Sequence, residues 1–95
     1  MEEKKYELLK DDTIKVGDTT LYRIKALKDF NDVSIGDIGG YIEKEENLDH
    51  YDNCWVYHEA KVYQDAKVFN DACIFNTAKI YGNARVFESA EVNND

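Results

Sequence analysis

Residues 54–92 read CWVYHEAKVYQDAKVFNDACIFNTAKIYGNARVFESAEV, and the feature that decides the fold is a period of six. Alanine recurs at Ala60, Ala66, Ala72, Ala78, Ala84 and Ala90. Two residues after each stands a β-branched aliphatic: Val62, Val68, Ile74, Ile80, Val86 and Val92. One residue later stands an aromatic, at Tyr63, Phe69, Phe75, Tyr81 and Phe87. Cys54-Trp55-Val56-Tyr57 is the same unit with Cys in the alanine slot. An uninterrupted repeat of this kind marks a solenoid.

Six is even, so in extended chain Ala60 and Val62 share one face while Lys61 and Tyr63 share the other. A helix fails the test, because a six-residue step drifts around a cylinder of 3.6 residues per turn. The pairs Gln64-Asp65, Asn70-Asp71, Asn76-Thr77, Gly82-Asn83 and Glu88-Ser89 supply turns. Three hexads would close one eighteen-residue coil. At that lag Tyr63 meets Tyr81, Phe69 meets Phe87, Tyr57 meets Phe75, Lys61 meets Lys79 and Lys67 meets Arg85. The expectation is an all-β chain: a short parallel β-helix with Ala and Val/Ile inside, about 14 Å tall at the inter-strand spacing.

Residues 1–46 alternate instead. Thr13–Val16, a Gly17-Asp18 turn and Thr19–Leu27 read as a β-hairpin. Val33–Asp37 reads as another short strand and turn, and Gly39-Gly40 as backbone free to bend before Tyr41-Ile42. Ile42, Leu48 and Cys54 are six apart, so the solenoid phase is expected to begin at Ile42, with His50 marking an irregular first coil. The division expected is a hairpin cap over residues 1–41 and a hexapeptide-repeat unit over 42–95.

The 95 residues carry a net charge of −8, a balance poorly suited to nucleic acid or anionic membrane. No apolar run reaches a membrane span, and Met1–Lys5 is no signal peptide, so the expected compartment is cytoplasmic. Cys54 should point inward and Cys73 outward, which argues against a disulfide. No metal spacing and no cofactor motif is present, so none of either is expected.

The stretches Leu21–Ala26, Asp29-Phe30, Val33, Gly36-Asp37, Gly39–Ile42, Asn47-Leu48 and Cys54–Tyr57 resemble the YdcK-like hexapeptide-repeat proteins of bacteria, phages and prophages. The resemblance covers residues from about 20 to 92. It implies the left-handed β-helix of the hexapeptide acyltransferases. In a chain this short it also implies a phage accessory protein, and small phage proteins of this size include inhibitors of host defence.

For an acyltransferase the candidate base is His58, set in a turn beside Glu59. A solvated turn residue is the plainer account of it, and no catalytic residue is assigned. The outward aromatics Tyr57, Tyr63, Phe69, Phe75 and Tyr81, with the turn acids Glu59, Asp65 and Asp71, form a candidate partner surface. Stacked aromatics also stabilise a sheet by about 0.2–1 kcal/mol per pair, which accounts for their spacing by itself. With only Asn93-Asn94-Asp95 after Val92, the last coil is expected to self-associate as a homodimer through Ile80, Ala84, Val86, Phe87, Ala90 and Val92. The function expected is a non-enzymatic interaction protein of phage or prophage origin that inhibits or modulates a host protein, such as a defence nuclease complex in the manner of an anti-CRISPR protein. A hexapeptide acyltransferase, or a remnant of one, is the alternative, and a self-assembling scaffold is the second.

Overall fold

The computed structural model describes residues 4–94. These residues are essentially all-β, with a single 3-10 turn at Glu45–Asn47. The strands are β1 (Tyr6–Val16), β2 (Thr19–Ala26), β3 (Ile38–Ile42), β4 (Trp55–Val56), β5 (Lys61–Val62), β6 (Lys67–Val68), β7 (Cys73–Asn76), β8 (Lys79–Ile80), β9 (Arg85–Val86) and β10 (Glu91–Asn94).

The hexads pair in parallel at a lag of eighteen. Trp55 lies beside Cys73, Lys61 beside Lys79, Lys67 beside Arg85, and Cys73 beside Glu91. Three sheets result, ordered β1-β2-β3-β5-β8, β4-β7-β10 and β6-β9, and none closes on itself. The parity is strict. The N–H groups of Lys61, Tyr63, Lys67 and Phe69 donate to the carbonyls of Ala78, Ile80, Ala84 and Val86 over 2.9–3.0 Å. Odd-numbered residues thus bond toward the C-terminal end, while the even-numbered Ala, Val and Ile turn inward. Ala60, Ala66, Ala72, Val56, Val62 and Ile74 are fully buried.

Each hexad turns on a residue in the left-handed region. His58, Gln64, Asn70, Asn76 and Glu88 have φ near +60°, and Gly82 has +68°. Each such turn is closed by an amide bond from the alanine that follows, as in Ala60 N–H to Tyr57 O at 3.1 Å. A non-glycine residue there is strained. The strain is offset by side chains that bridge coils. His58 Nδ1 accepts the Asn76 N–H (3.2 Å), Gln64 Oε1 the Gly82 N–H (2.9 Å), and Asn70 Oδ1 the Glu88 N–H (3.1 Å).

The expected phase is corrected in the first coil. Ile42 lies beside Val62 and Leu48 beside Val68, twenty residues apart rather than eighteen. Leu48 therefore matches Val56, not Cys54, and two extra residues sit between them. The surplus bulges at Tyr51-Asp52, and its carbonyls converge on the ammonium of Lys5. Lys5 Nζ donates to Cys54 O (2.7 Å), Asp52 O (3.3 Å) and Tyr51 O (3.4 Å) and lies 4.8 Å from the Phe30 ring centroid.

The N-terminal segment is larger than the expected hairpin. β1 starts at Tyr6 and pairs antiparallel with β2 through a bulge between Leu9 and Thr13. β2 pairs with the edge of β3, which is itself parallel to β5, so hairpin and repeats share one sheet. Val33–Asp37 forms no strand; it is a turn region held by a bridge between Phe30 and Val33. This loop covers β4, where Phe30 packs edge-on against Trp55 (5.2 Å) and Asp32 accepts from the Tyr57 hydroxyl (2.7 Å).

Gly39 and Gly40 have no positive φ, so freedom to bend is not their role. A β-carbon on Gly40 would overlap Ala60 O and approach Val56 Cγ1 to 2.7 Å; one on Gly39 would meet Ile24 and Trp55 side-chain atoms at 2.8 Å. These glycines let β3 lie close against the first coil.

Candidate functional site

The acyl-transfer reading depends on histidine, and the structure gives both histidines backbone partners. His58 Nδ1 accepts the Asn76 amide, so the neutral ring carries its proton on Nε2 and offers no second lone pair. His50 stacks on Tyr6 with centroids 4.1 Å apart. Its Nδ1 accepts the Lys5 N–H (3.0 Å) and its Nε2 faces Glu45 Oε1 (2.9 Å). The His50 and Lys4 contacts hold the Glu45 carboxyl below its ordinary range. A cleft of about 240 Å³ lies beside His50, between the Glu45–Asp49 segment and Lys67, Val68 and Phe69. Both nitrogens of the imidazole on its wall are already occupied.

The expected partner surface divides. Tyr63 is buried against Leu21 and Tyr41 under the hairpin, and Tyr57, Phe69 and Phe75 are half-buried. Tyr81 is 56% exposed. The aromatics do stack: Tyr57 on Phe75 at 4.7 Å, Tyr63 on Tyr81 at 5.5 Å and Phe69 on Phe87 at 5.3 Å. The turn acids have local work. Glu59 receives a two-pronged contact from Arg23 (3.1 and 3.3 Å), which lowers its pKa. Asp65 faces Lys44 at 3.5 Å, and Asp71 accepts the Asn53 N–H at 3.2 Å.

Among the residues expected at the self-association end, Ile80 and Val86 are nearly buried and Val92 is half-buried. Ala84, Phe87 and Ala90 are exposed. Both cysteines are free. Cys54 points inward as expected, and burial pushes its thiol pKa up. Cys73 keeps the outward parity expected of it, in register with Trp55 and Glu91 on either side, yet its side chain is buried on that face.

Two buried polar side chains escaped the sequence reading. Lys5 is 0% exposed, and burial pulls its pKa below the ordinary lysine value. Asn47 is also fully buried. Its Oδ1 accepts the N–H groups of Glu43 (3.0 Å) and Lys44 (2.9 Å), and its Nδ2 donates to the carbonyls of Gln64 (3.1 Å) and Ala66 (2.8 Å). The Asn47-Leu48 pair was legible as a turn. Lys5 gave no local signal, because its partners lie almost fifty residues away.

No family model matches the chain. A 56-residue stretch, 59% of the chain, is 39% identical to a protein of Escherichia coli (strain K12) named "uncharacterized acetyltransferase YdcK". The chain spans 17% of that relative's length. The match speaks for the acyltransferase alternative and gives no support to a phage-borne inhibitor of a host nuclease. No helix among the described residues is long and apolar enough to cross a membrane.

Proposed function

We propose that the chain is a short parallel β-helix of hexapeptide repeats, of the kind used by acyltransferases of that architecture, and that it acts as a remnant binding module rather than as a catalyst. The lag-eighteen parallel pairing and the one-per-hexad left-handed turns support the architecture. The YdcK match supports its kinship with the acyltransferase-type proteins. The single observation that carries the non-catalytic reading is the use of both imidazoles as amide acceptors. A general base must present a free lone pair to the substrate. At His58 that requires breaking the bond to the Asn76 amide, which supports the strained turn below it.

The second reading is acyl transfer, and the name of the relative favours it. One experiment separates the two. The native chain and His58→Gln are incubated with acetyl-CoA and a panel of amine and hydroxyl acceptors, and free CoA is followed. The module reading expects no CoA release above background and no saturable acetyl-CoA binding. Release by the native chain that disappears in a folded His58→Gln variant would establish acyl transfer.

A further inference from the structure

Beneath the bulge of the first coil an amine and a thiol lie side by side. Lys5 and Cys54 are both 0% exposed, and Lys5 Nζ stands 3.3 Å from Cys54 Sγ. The contact is held from both sides. Lys5 Nζ donates to the Cys54 carbonyl at 2.7 Å, so the amine is anchored to the residue whose sulfur it faces. The lysine backbone is fixed as well: its N–H donates to His50 Nδ1 (3.0 Å) and its carbonyl accepts the Leu27 N–H (2.7 Å). The Cys54 thiol points at the carbonyls of Asp49 (3.4 Å) and Tyr51 (3.6 Å). The pair is 49 residues apart in the chain, so the fold alone brings it together. Cys73 differs. It faces the Asp71 carbonyl (3.7 Å) and the Tyr57 hydroxyl, and among the described residues no amine bonds to it.

We propose that Cys54 and Lys5 form a redox-modification site, at which a hydroperoxide closes a reversible sulfur–nitrogen bond between the two side chains. Two steps make the bond. The Cys54 thiolate attacks the peroxide O–O bond; one oxygen stays on sulfur as a sulfenic acid, and the other leaves as water. The neutral Lys5 amine then attacks that sulfur. The S–O bond breaks, and the hydroxyl leaves as water with one proton of the amine, as sulfenic acids do when they condense with a nitrogen. Thiol, amine and one hydrogen peroxide thus give a sulfenamide and two water molecules, with two electrons passing from sulfur to peroxide. Thiol reductant reverses it: a first thiol takes the sulfur as a mixed disulfide and frees the amine, and a second releases Cys54.

Burial sets both the chemistry and the pace. It pulls the Lys5 pKa below the ordinary lysine value, which brings the nucleophilic amine form within reach. It pushes the Cys54 thiol up, so the closed site reacts slowly. Tyr51 and Asp52, whose carbonyls accept from Lys5, are exposed, and local opening of this bulge is what admits the oxidant. Once water reaches the thiol its desolvation falls, and the ammonium beside it favours the thiolate. The finished bond keeps one N–H on the nitrogen for the Cys54 carbonyl and ties the N-terminal segment to the first coil. This inference concerns the first coil and stands whether or not the non-catalytic reading holds.

The test is peptide mapping by mass spectrometry of the folded 95-residue chain after graded treatment with hydrogen peroxide, with the peroxide removed and the free thiols blocked before trypsin. The expected product joins the tryptic peptides 5–10 and 45–61 through Lys5 and Cys54 and is about 2 Da lighter than the two together. Dithiothreitol is expected to separate them again. Lys5→Arg keeps the positive charge, removes the nucleophilic amine and is expected to lose the joined peptide. In guanidinium chloride the pair is no longer held together, and Cys54 is expected to climb to the sulfinic and sulfonic acids, heavier by about 32 and 48 Da, with Lys5 free. Four results would each overturn the proposal: a folded chain whose Cys54 stays a thiol, one whose Cys54 climbs to the sulfinic acid with Lys5 unlinked, one in which a disulfide joins 45–61 to the Cys73 peptide 68–79 instead, or equal joining of Lys5 and Cys54 in guanidinium chloride.

Discussion

Replacing Lys5 with Met tests the account of the first coil directly. The two side chains have similar length, so the substitution removes the ammonium and leaves the packing volume nearly intact. Two effects then oppose each other. The ammonium no longer has to be held out of water, which favours the variant. Against this, the carbonyls of Cys54, Asp52 and Tyr51 lose their donor, at 2.7, 3.3 and 3.4 Å respectively. A buried acceptor left without a partner costs about 1–3 kcal/mol, and bonds to charged donors stand at the upper end. Only the Cys54 bond is short, so the two longer ones contribute less. The gross loss is about 3–5 kcal/mol, and relief of the buried charge returns part of it. The expected net destabilisation is about 2–3 kcal/mol, which for a domain of this size lowers Tm by roughly 10–20 °C. Thermal and urea melts followed by near-ultraviolet circular dichroism would report it, because Trp55 packs edge-on against Tyr6, the residue next to the mutation. A Lys5→Met chain that melts at or above the native temperature would refute the reasoning. It would mean that the extra residues at Tyr51-Asp52 find other donors and that the buried charge is a net burden, as happens when some buried ion pairs are replaced by apolar groups.

Asn47→Ala leaves the Lys44 N–H and the Gln64 and Ala66 carbonyls without their partner, while the Glu43 N–H keeps the Val62 carbonyl, and is expected to cost about 2–3 kcal/mol in urea denaturation. Gly40→Ala pushes β3 away from Ala60 and is expected to destabilise by about 2 kcal/mol or more, whereas Gly36→Ala, with nothing within 4 Å of its β-carbon, meets only the strain of φ +92° and costs about 1 kcal/mol. In alkaline solution, burial holds the Cys54 and Cys73 thiols and the Tyr6 and Tyr57 phenols above their ordinary values of 9.0 and 10.0, so the unfolded chain releases those protons first. Stability is therefore expected to be intact below pH 9 and to fall as pH rises past it, and a Cys54→Ala melt series should show a shallower decline.

The sequence alone determined the period, the faces and the lag. An even repeat with Ala and a β-branched residue on one parity leaves extended chain as the only conformation that buries a constant set. The like-on-like match at eighteen was then sufficient to place Lys61 beside Lys79 and Lys67 beside Arg85. These are local and periodic properties, written many times over, so the chain carries redundant notice of them. What only the tertiary structure decided occurs once and acts over long separations. The two-residue surplus after Leu48 is invisible in a six-residue count, because Cys54 continues the spacing from Ile42 and Leu48 by coincidence. In sequence Lys5 is one more charged residue of the polar stretch Met1–Lys5, yet it lies fully buried with its ammonium on carbonyls far along the chain. Gly39 and Gly40 looked like a bend and are spacers between packed strands. The roles of His50 and His58 were likewise beyond the sequence, since a histidine's chemistry depends on which nitrogen its neighbours occupy, and those neighbours are set by register between coils.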